Sequence, residues 1–449
     1  MFSLKELKRD FYCWKYNIAK PGSTAYYKQL CRNQMLCPEE IEDLSLNKTR
    51  KLLKYAYDHV PFYKKRFLSI GAVPEDFQTA RDFEKFPILT RADLMENFNE
   101  LLSDEYTMKD VRISTTGGSS GTPAKVCHPR SLPRAAMGWR LLDWWNISPA
   151  DDMADVYRDV RNSLKSKIFQ CVQAFPGRQL LLNATSFSEN DMKVFLDNFC
   201  RMKPALLHGY VGAVDTLSGY MLEHEIKVPA PKAIWLTSSP ITQVQQKRIE
   251  KAFNAPVYDQ YGCCEIYWLA AECPKRTGLH MFQDIRRIEF TDDSGFSVPT
   301  GEYGQIVITD LENYAFPLIR YANGDSGRRL KKDCSCGCNL PLMDKVKGRV
   351  SETFLLPSGT RINGEFLTTL FDDTPDAVKQ FQVHQQTDGS IVLKVIPNIK
   401  FQDLEQTLEN VKNNLLNAIN HEVPIAVEKV DSIPQKGGKL KFIISDYKK

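Results

Sequence analysis

Over roughly the first hundred residues, apolar positions recur at helical spacing. Leu52, Leu53, Ala56 and Tyr57 share one helix face, and Val60-Pro61-Phe62-Tyr63 reads as its stop, because proline cannot continue a helix. Pro87 to Leu94 reads as a turn in which Thr90 caps a new helix. At the start, Phe2, Leu4, Leu7, Phe11 and Trp14 fall on one face of a basic helix. Such a stripe either packs on the body of the protein or touches a membrane surface, and packing is the expectation taken here.

From about residue 116 to about 260 the pattern changes. Short apolar runs, Leu180-Leu181-Leu182 and Ala233 to Thr237, alternate with helical stretches, Asp191 to Phe199 and Val211 to Glu223. That alternation predicts an α/β fold with a largely parallel sheet. Between about 285 and 330, Arg287 to Phe290 and Gln305 to Thr309 are short strands separated by Gly-rich turns, which predicts antiparallel hairpins or a small barrel. The last hundred or so residues mix strand (Ser390 to Ile396), helix (Asp403 to Ile419) and strand (Lys441 to Ser445), enough for a separate α+β domain.

At 449 residues the chain is long enough for about two to four units, and 43% hydrophobic with 25% charged residues describes a folded globular protein. A formal charge of +4, with lysines and arginines scattered, argues against nucleic acid as a partner. The N-terminus lacks the apolar core of a signal peptide, and no window approaches the ~18 apolar residues of a transmembrane helix. A soluble, cytoplasmic protein is expected. Most of the twelve cysteines stand alone in apolar settings, as reduced core residues do.

Chemistry concentrates first at Thr116-Gly117-Gly118-Ser119-Ser120-Gly121-Thr122-Pro123. Three glycines let the backbone approach an anion and the hydroxyls add donors, so phosphate is the natural ligand. A flexible Gly/Ser linker has the same composition, and the motif is not the P-loop of nucleotide-hydrolysing proteins, since Gly121 is followed by Thr122-Pro123. Four more stretches give the loop weight. Tyr258 to Glu265 puts a carboxylate after a tight glycine turn at the end of a strand-like run, where α/β sheets bind ligands and a lone acid can hold a nucleotide's magnesium. Pro317 to Asp325 ends in an acid able to accept both ribose hydroxyls. Lys347-Gly348-Arg349 supplies a permanent cation, and Pro434 to Lys439 sets a lysine on a glycine turn.

In this order and spacing the set resembles the adenylate-forming superfamily of acyl-CoA synthetases, luciferases and nonribosomal adenylation domains. More narrowly it resembles the branch of phenylacetate-CoA ligase and the related capsular-polysaccharide biosynthesis proteins. His59 to Tyr63, Leu207-His208-Gly209-Tyr210, Thr237-Ser238-Ser239-Pro240 and Gly278-Leu279-His280 extend the likeness over nearly the whole chain. The resemblance implies a large multi-lobed N-terminal adenylate-forming domain (1–347), with parallel sheets and a small barrel, and a small mobile α+β C-terminal lid (348–449). It implies that residues 116 to 122 wrap the ATP phosphates, Glu265 binds Mg2+, and Tyr261 and Gly262 border the adenine and acyl pockets. It further implies that Asp325 holds the ribose, aided by Arg349, and that Lys439 bridges the substrate carboxylate and the α-phosphate. His208, Tyr210, Ser239 and Cys264 would line the acyl pocket. Cys264 stands where the family usually has Thr or Ser, and Val350-Ser351 where it often has a charged hinge residue, with Ser351 the candidate hinge.

The implied activity is ATP-dependent activation of a small carboxylic acid as its acyl-adenylate, with transfer to coenzyme A, a sugar, an amine or a carrier, in a capsule or surface-polysaccharide setting by resemblance alone. A relative that keeps the fold but serves as a silent scaffold is the contrary reading. Cys273 and His280, with Cys334 and Cys336 about fifty residues on, offer three thiolates and one imidazole, the ligand set of a closed structural zinc site. Some members of the branch carry such a site in the hairpin region of about 270–340. Unliganded thiols remain the alternative, and Cys338 competes with Cys336 as the fourth ligand.

Overall fold

The computed structural model describes residues 3–115, 125–157, 164–184, 188–346, 354–358, 361–362, 367, 370–371, 374, 377–434 and 441–447. The glycine loop at 116–123, Arg349, Ser351 and Lys439 lie outside the described residues. Contacts divide the chain into two compact units, Met1–Pro149 with Gln260–Val346 and Ala150–Asp259 with Lys347–Lys449.

The first unit opens with α1 (Leu4–Ala19), α2 (Ser23–Asn33), α3 (Pro38–His59), α4 (Pro61–Ser69), α5 (Ala80–Phe83) and α6 (Arg91–Glu96). A hairpin of β1 (Val111–Thr115) and β2 (Lys125–Pro129) and then α7 (Arg134–Trp144) follow. Thr90 caps α6 as expected: its hydroxyl accepts from the Asp93 amide at 3.2 Å, while its own amide donates to the Asp93 carboxylate at 2.7 Å. The stop read at Val60-Pro61 forms: α3 ends at His59, and Val60 before the proline is extended, with φ −122° and ψ 105°. Pro61 is also the first residue of α4, where a missing N–H costs no helix bond. Leu52, Leu53 and Ala56 are buried in the core of this unit with Phe67, Phe86 and Ile308. The apolar stripe of α1 does not pack as expected. Leu4, Leu7, Phe11 and Trp14 are exposed, and Tyr12 and Tyr16 on another face meet Trp139 of α7.

Residues 150–259 form the parallel sheet: β3 (Met153–Tyr157), β4 (Gln179–Asn183), β5 (Leu206–Tyr210), β6 (Ala233–Thr237) and the start of β7 (Val257–Cys263), in the order β4-β3-β5-β6-β7. The connecting helices are α8 (Leu164–Ala174), α9 (Glu189–Met202), α10 (Val211–Glu223) and α11 (Gln243–Phe253). The expected strand–helix alternation is what forms. The α9 helix is longer than its apolar pattern because Ser188 caps it, accepting from the Asp191 amide at 3.2 Å.

The chain returns to the first unit along β7. There β8 (Tyr267–Glu272), β9 (Leu279–Met281), β10 (Arg286–Thr291), β11 (Gly304–Asp310), β12 (Tyr321–Gly327) and β13 (Leu342–Met343) follow. The end of β7 pairs antiparallel with β8, then β9 and β13, while β10, β11 and β12 make an open three-stranded antiparallel sheet. The choice between hairpins and a barrel thus falls to hairpins among the described residues. The C-terminal segment of the second unit contains β14 (Phe354–Leu355), β15 (Arg361–Ile362), β16 (Val378–Gln385), β17 (Ile391–Pro397), α12 (Leu404–Ala418), β18 (Ile425–Lys429) and β19 (Ile443–Ser445). Its four-stranded sheet runs β18-β17-β16-β19, and α12 buries Leu408, Val411 and Leu415 with Phe381 and Leu393. Among the described residues no helix is long and apolar enough to cross a membrane.

Gly209 on β5 is a packing requirement. A Cβ there would sit 2.7 Å from Val214 Cγ2 and 2.8 Å from the Val156 carbonyl. Gly209→Ala is expected to cost about 1–3 kcal/mol through the forced shift of β3 or α10, read as a lowered urea midpoint; an unchanged midpoint would show that the contact relaxes freely.

Candidate active site

The end of β7 and the start of β12 carry the groups able to do chemistry in the first unit. Tyr261 is buried, and its hydroxyl donates to Asp325 Oδ2 at 2.8 Å. Asn323 Nδ2 donates to the same carboxylate oxygen at 2.7 Å and to the Tyr261 hydroxyl at 2.6 Å, while the Asp325 amide donates to Asn323 Oδ1 at 3.1 Å. Burial, and then the charge of Asp325, push the Tyr261 phenol well above its ordinary value, so it stays protonated and donating. Arg320 anchors this strand. It is buried, pairs with Glu289 at 3.2 Å and donates to the carbonyls of Phe86 at 2.7 Å and Gly295 at 2.6 Å.

Glu265 lies two residues beyond β7 and is only 7% exposed. The Tyr321 hydroxyl donates to its Oε1 at 3.2 Å, and Arg91 Nη1 stands 3.9 Å away. Burial and the Glu265 charge push Tyr321 up, so this phenol too remains a neutral donor. The turn before Glu265 depends on Gly262, where any side chain would collide with the Tyr267 carbonyl and the Gln260 amide. Cys264 is exposed, whereas burial, and then Glu265, raise the Cys263 thiol well above its ordinary value. His128 of β2 braces the turn from the other side, with Nε2 3.2 Å from the Cys264 carbonyl and its ring 4.2 Å from that of Tyr267. A carbonyl can only accept, so Nε2 carries the proton.

In the second unit, His208 and Tyr210 lie on β5. His208 Nδ1 donates to Asp155 Oδ1 at 2.9 Å, and its ring lies between Tyr157 at 5.2 Å and Trp235 at 4.6 Å. Tyr210 is buried with its ring 4.0 Å from Tyr157. Ser239 follows β6 beside Ser238, whose φ of 83° is a left-handed conformation rare for serine. Such outliers cluster at the ends of strands that bind ligands.

Cys273, His280, Cys334 and Cys336 come together in the first unit, their ligand atoms all within 4.8 Å of one another. Cys273 follows β8, His280 lies on β9, and the other two sit in the loop between β12 and β13. Cys273 and Cys334 sulfurs are 3.5 Å apart, and Cys336 Sγ is 3.3 Å from His280 Nε2. These are close to the edges of about 3.4–3.8 Å expected of a tetrahedron with 2.0–2.3 Å bonds. His280 Nδ1 donates to the Leu340 carbonyl at 2.9 Å, which leaves Nε2 as a lone pair turned to the thiols. Cys338 stays outside the group; its amide donates to Cys336 Sγ at 3.4 Å.

The structure therefore gathers Tyr261, Gly262, Glu265 and Asp325 in one unit and His208, Tyr210 and Ser239 in the other. The sequence reading missed Arg91, His128, Tyr321 and Asn323. Asn323 and Tyr321 lie within the stretch already singled out, and their spacing of two along β12 is the signal that puts them on one face with Asp325. Arg91 and His128 give no such signal.

Residues 354–446 match the family model of the CapK C-terminal domain. Over 432 residues the chain is 24% identical to the phenylacetate-coenzyme A ligase of Escherichia coli K12, spanning 89% of this chain and 94% of that one. It is 22% identical over 406 residues to protein CapK of Staphylococcus aureus, spanning 82% of each. Its backbone matches that of 2-hydroxyisobutyryl-CoA ligase, in the postadenylation state with R3-HIB-AMP, with a TM-score of 0.77 over 92% of this chain and 91% of that one, at 20% identity. The fold is that of the adenylate-forming superfamily, and residues 354–446 form a CapK C-terminal domain. Over most of its length the chain is similar in sequence to AMP-forming ligases of the phenylacetate-CoA ligase and CapK branch.

Burial holds His128 neutral, down to about 3. A histidine depressed in the fold contributes stability that is present above its unfolded value near 6.5 and lost as pH falls toward 3. Between pH 7 and pH 5 that loss is at most about 2 kcal/mol. The urea midpoint should drop over this interval in the wild type and drop less in His128→Gln; equal drops would remove His128 from the account.

Proposed function

We propose that the protein activates a small carboxylic acid with ATP and passes the acyl group to an acceptor, with coenzyme A the first to test. The observation that carries this reading is the pair of buried carboxylates, Glu265 and Asp325, each held by a tyrosine hydroxyl that stays protonated. These neutral donors orient the two acids. Asp325 is then suited to accept the ribose hydroxyls, and Glu265 to face a cation.

In the first half-reaction a carboxylate oxygen of the acid attacks the α-phosphorus of ATP. The bond from that phosphorus to the bridging oxygen of the leaving group breaks, and pyrophosphate departs. In the second, the acceptor attacks the acyl carbon, loses its proton and displaces AMP. Glu265 is the residue that would hold Mg2+, since one protein carboxylate suffices for an ion ligated mainly by substrate phosphates, and the ion would neutralise charge on the phosphoryl group. Residues 116–122 would cradle the phosphates, Arg349 would assist at the ribose, and Lys439 would be carried in by the C-terminal residues 348–449 acting as a lid. Tyr261 and Gly262 would border the adenine and acyl pockets, and His208, Tyr210, Ser239 and Cys264 would line the acyl side. A cytoplasmic setting accompanies this reading. A sugar or amine acceptor in surface-polysaccharide synthesis is the second class to test, on the resemblance of the sequence motifs alone.

Acid- and CoA-dependent AMP release tests the proposal. Glu265→Gln and Lys439→Ala are each expected to lower kcat by about 100-fold or more, and Asp325→Asn to raise the KM for ATP by about tenfold. AMP release that survives Lys439→Ala unchanged would sink the lysine's role. ATP binding without AMP release, for any acid, would favour a silent scaffold.

The four-residue cluster fits a closed structural zinc site, with Cys273, Cys334 and Cys336 as thiolates and His280 through Nε2. Protein purified without added metal should carry about one zinc per chain. Cys273→Ser or His280→Ala should lose the metal and lower the thermal midpoint, whereas Cys338→Ser should keep it. Wild type free of zinc by elemental analysis would contradict the assignment.

A further inference from the structure

We propose that α1 is a docking helix that lays its outward face on an anionic lipid bilayer. The helix has two faces, and one of them is fixed. Tyr12 and Tyr16 set their rings edge-on to Trp139 at 5.9 and 5.2 Å, Tyr27 packs on the same indole at 5.8 Å, and Arg9 pairs with Asp143 at 3.2 Å. Nearly opposite, Leu4, Leu7, Phe11, Trp14 and Ile18 are 72%, 54%, 41%, 61% and 63% exposed. Their spacing of three and four residues confines them to about 80° of the helix circumference. The anchored face holds this stripe outward, so its exposure is a property of the packing.

Five large apolar side chains in one exposed row mark an interaction surface. The charges around it select the kind of partner. Lys8 and Lys15 flank one edge of the stripe, Lys15 with its ammonium 5.0 Å from the Tyr12 ring centroid, and Lys5 lies further round, while the Glu6 carboxylate accepts from the Ser3 amide at 2.7 Å at the start of the helix. Asp10 alone borders the other edge. Lysine stems beside an apolar row can reach lipid phosphates while Leu, Phe and Ile side chains enter the acyl boundary, and an indole suits the headgroup level. At 16 residues α1 is too short and too charged to span a bilayer and would lie in its surface. Antiparallel pairing of two copies through the same stripe would bring the two lysine edges together, like charge on like, which disfavours that arrangement of a second copy.

Flotation of the full chain with vesicles of phosphatidylcholine, and of phosphatidylcholine mixed with phosphatidylglycerol, tests this. The protein should float with the mixed vesicles at low salt and less at high salt. Leu7→Glu and Trp14→Glu should each reduce partitioning by about tenfold or more, and Lys8→Glu severalfold, with the thermal midpoint little changed because Leu7 and Lys8 are exposed and the Trp14 ring meets that of Phe11 in the same stripe. Leu7→Gln, a milder change, should give a smaller loss in the same direction. The proposal is overturned by failure to float with either vesicle, by binding that ignores salt and lipid charge, or by equal binding of wild type and Trp14→Glu. It is also overturned by a concentration-dependent dimer that Trp14→Glu abolishes, which would assign the stripe to a second copy.

Discussion

Two buried carboxylates that accept from tyrosine hydroxyls set the terms for the rest of the first unit. Glu265 and Asp325 are as buried as many structural acids, yet Glu265 accepts from the Tyr321 hydroxyl, and Asp325 from the Tyr261 hydroxyl and the Asn323 amide. Elsewhere in the unit, buried acids meet guanidinium groups at full contact: Asp284 with Arg140 at 2.9 Å and Asp310 with Arg286 at 2.7 Å. Those pairs cancel their charge and hold helix and strand in place. A phenol orients a carboxylate without cancelling it, and at 3.9 Å Arg91 only moderates Glu265.

The surrounding structure serves that arrangement. Arg320 pins the start of β12, which carries Tyr321, Asn323 and Asp325, to the carbonyls of Phe86 and Gly295. Gly262 lets β7 turn tightly against β8, and His128 holds the Cys264 carbonyl beside Glu265. The thiol and imidazole cluster ties β8 and β9 to the loop between β12 and β13, and so braces the same strands from their far ends. A metal there would act on site geometry through the backbone, with no part in the chemistry.

Much of this was legible in the sequence where a local rule operates. The strand–helix alternation, the Thr90 cap and the glycine turn before Glu265 each follow from a few adjacent residues. What escaped depends on residues far apart in the chain. Arg91 and His128 reach Glu265 and the Cys264 carbonyl across separations of more than a hundred positions, and no periodicity marks them. Pro61 marks the end of α3 as read, and it also begins α4, a second role that proline's fit to the first turn of a helix permits. For α1, amphipathicity identified the apolar stripe, but aromatic packing of Tyr12 and Tyr16 on Trp139 decided which face is anchored. The glycine loop, Arg349 and Lys439 lie outside the described residues, so their roles rest on the likeness of sequence.

The central claim is that this chain forms an acyl-adenylate, and isotope exchange tests it without knowledge of the acceptor. Purified protein with ATP, Mg2+ and a panel of aryl, hydroxy and amino acids should exchange labelled pyrophosphate into ATP when the right acid is present and not otherwise. Exchange that depends on one acid and is lost in Glu265→Gln is the result the account predicts. A folded, ATP-binding protein with no acid-dependent exchange across a broad panel would contradict it.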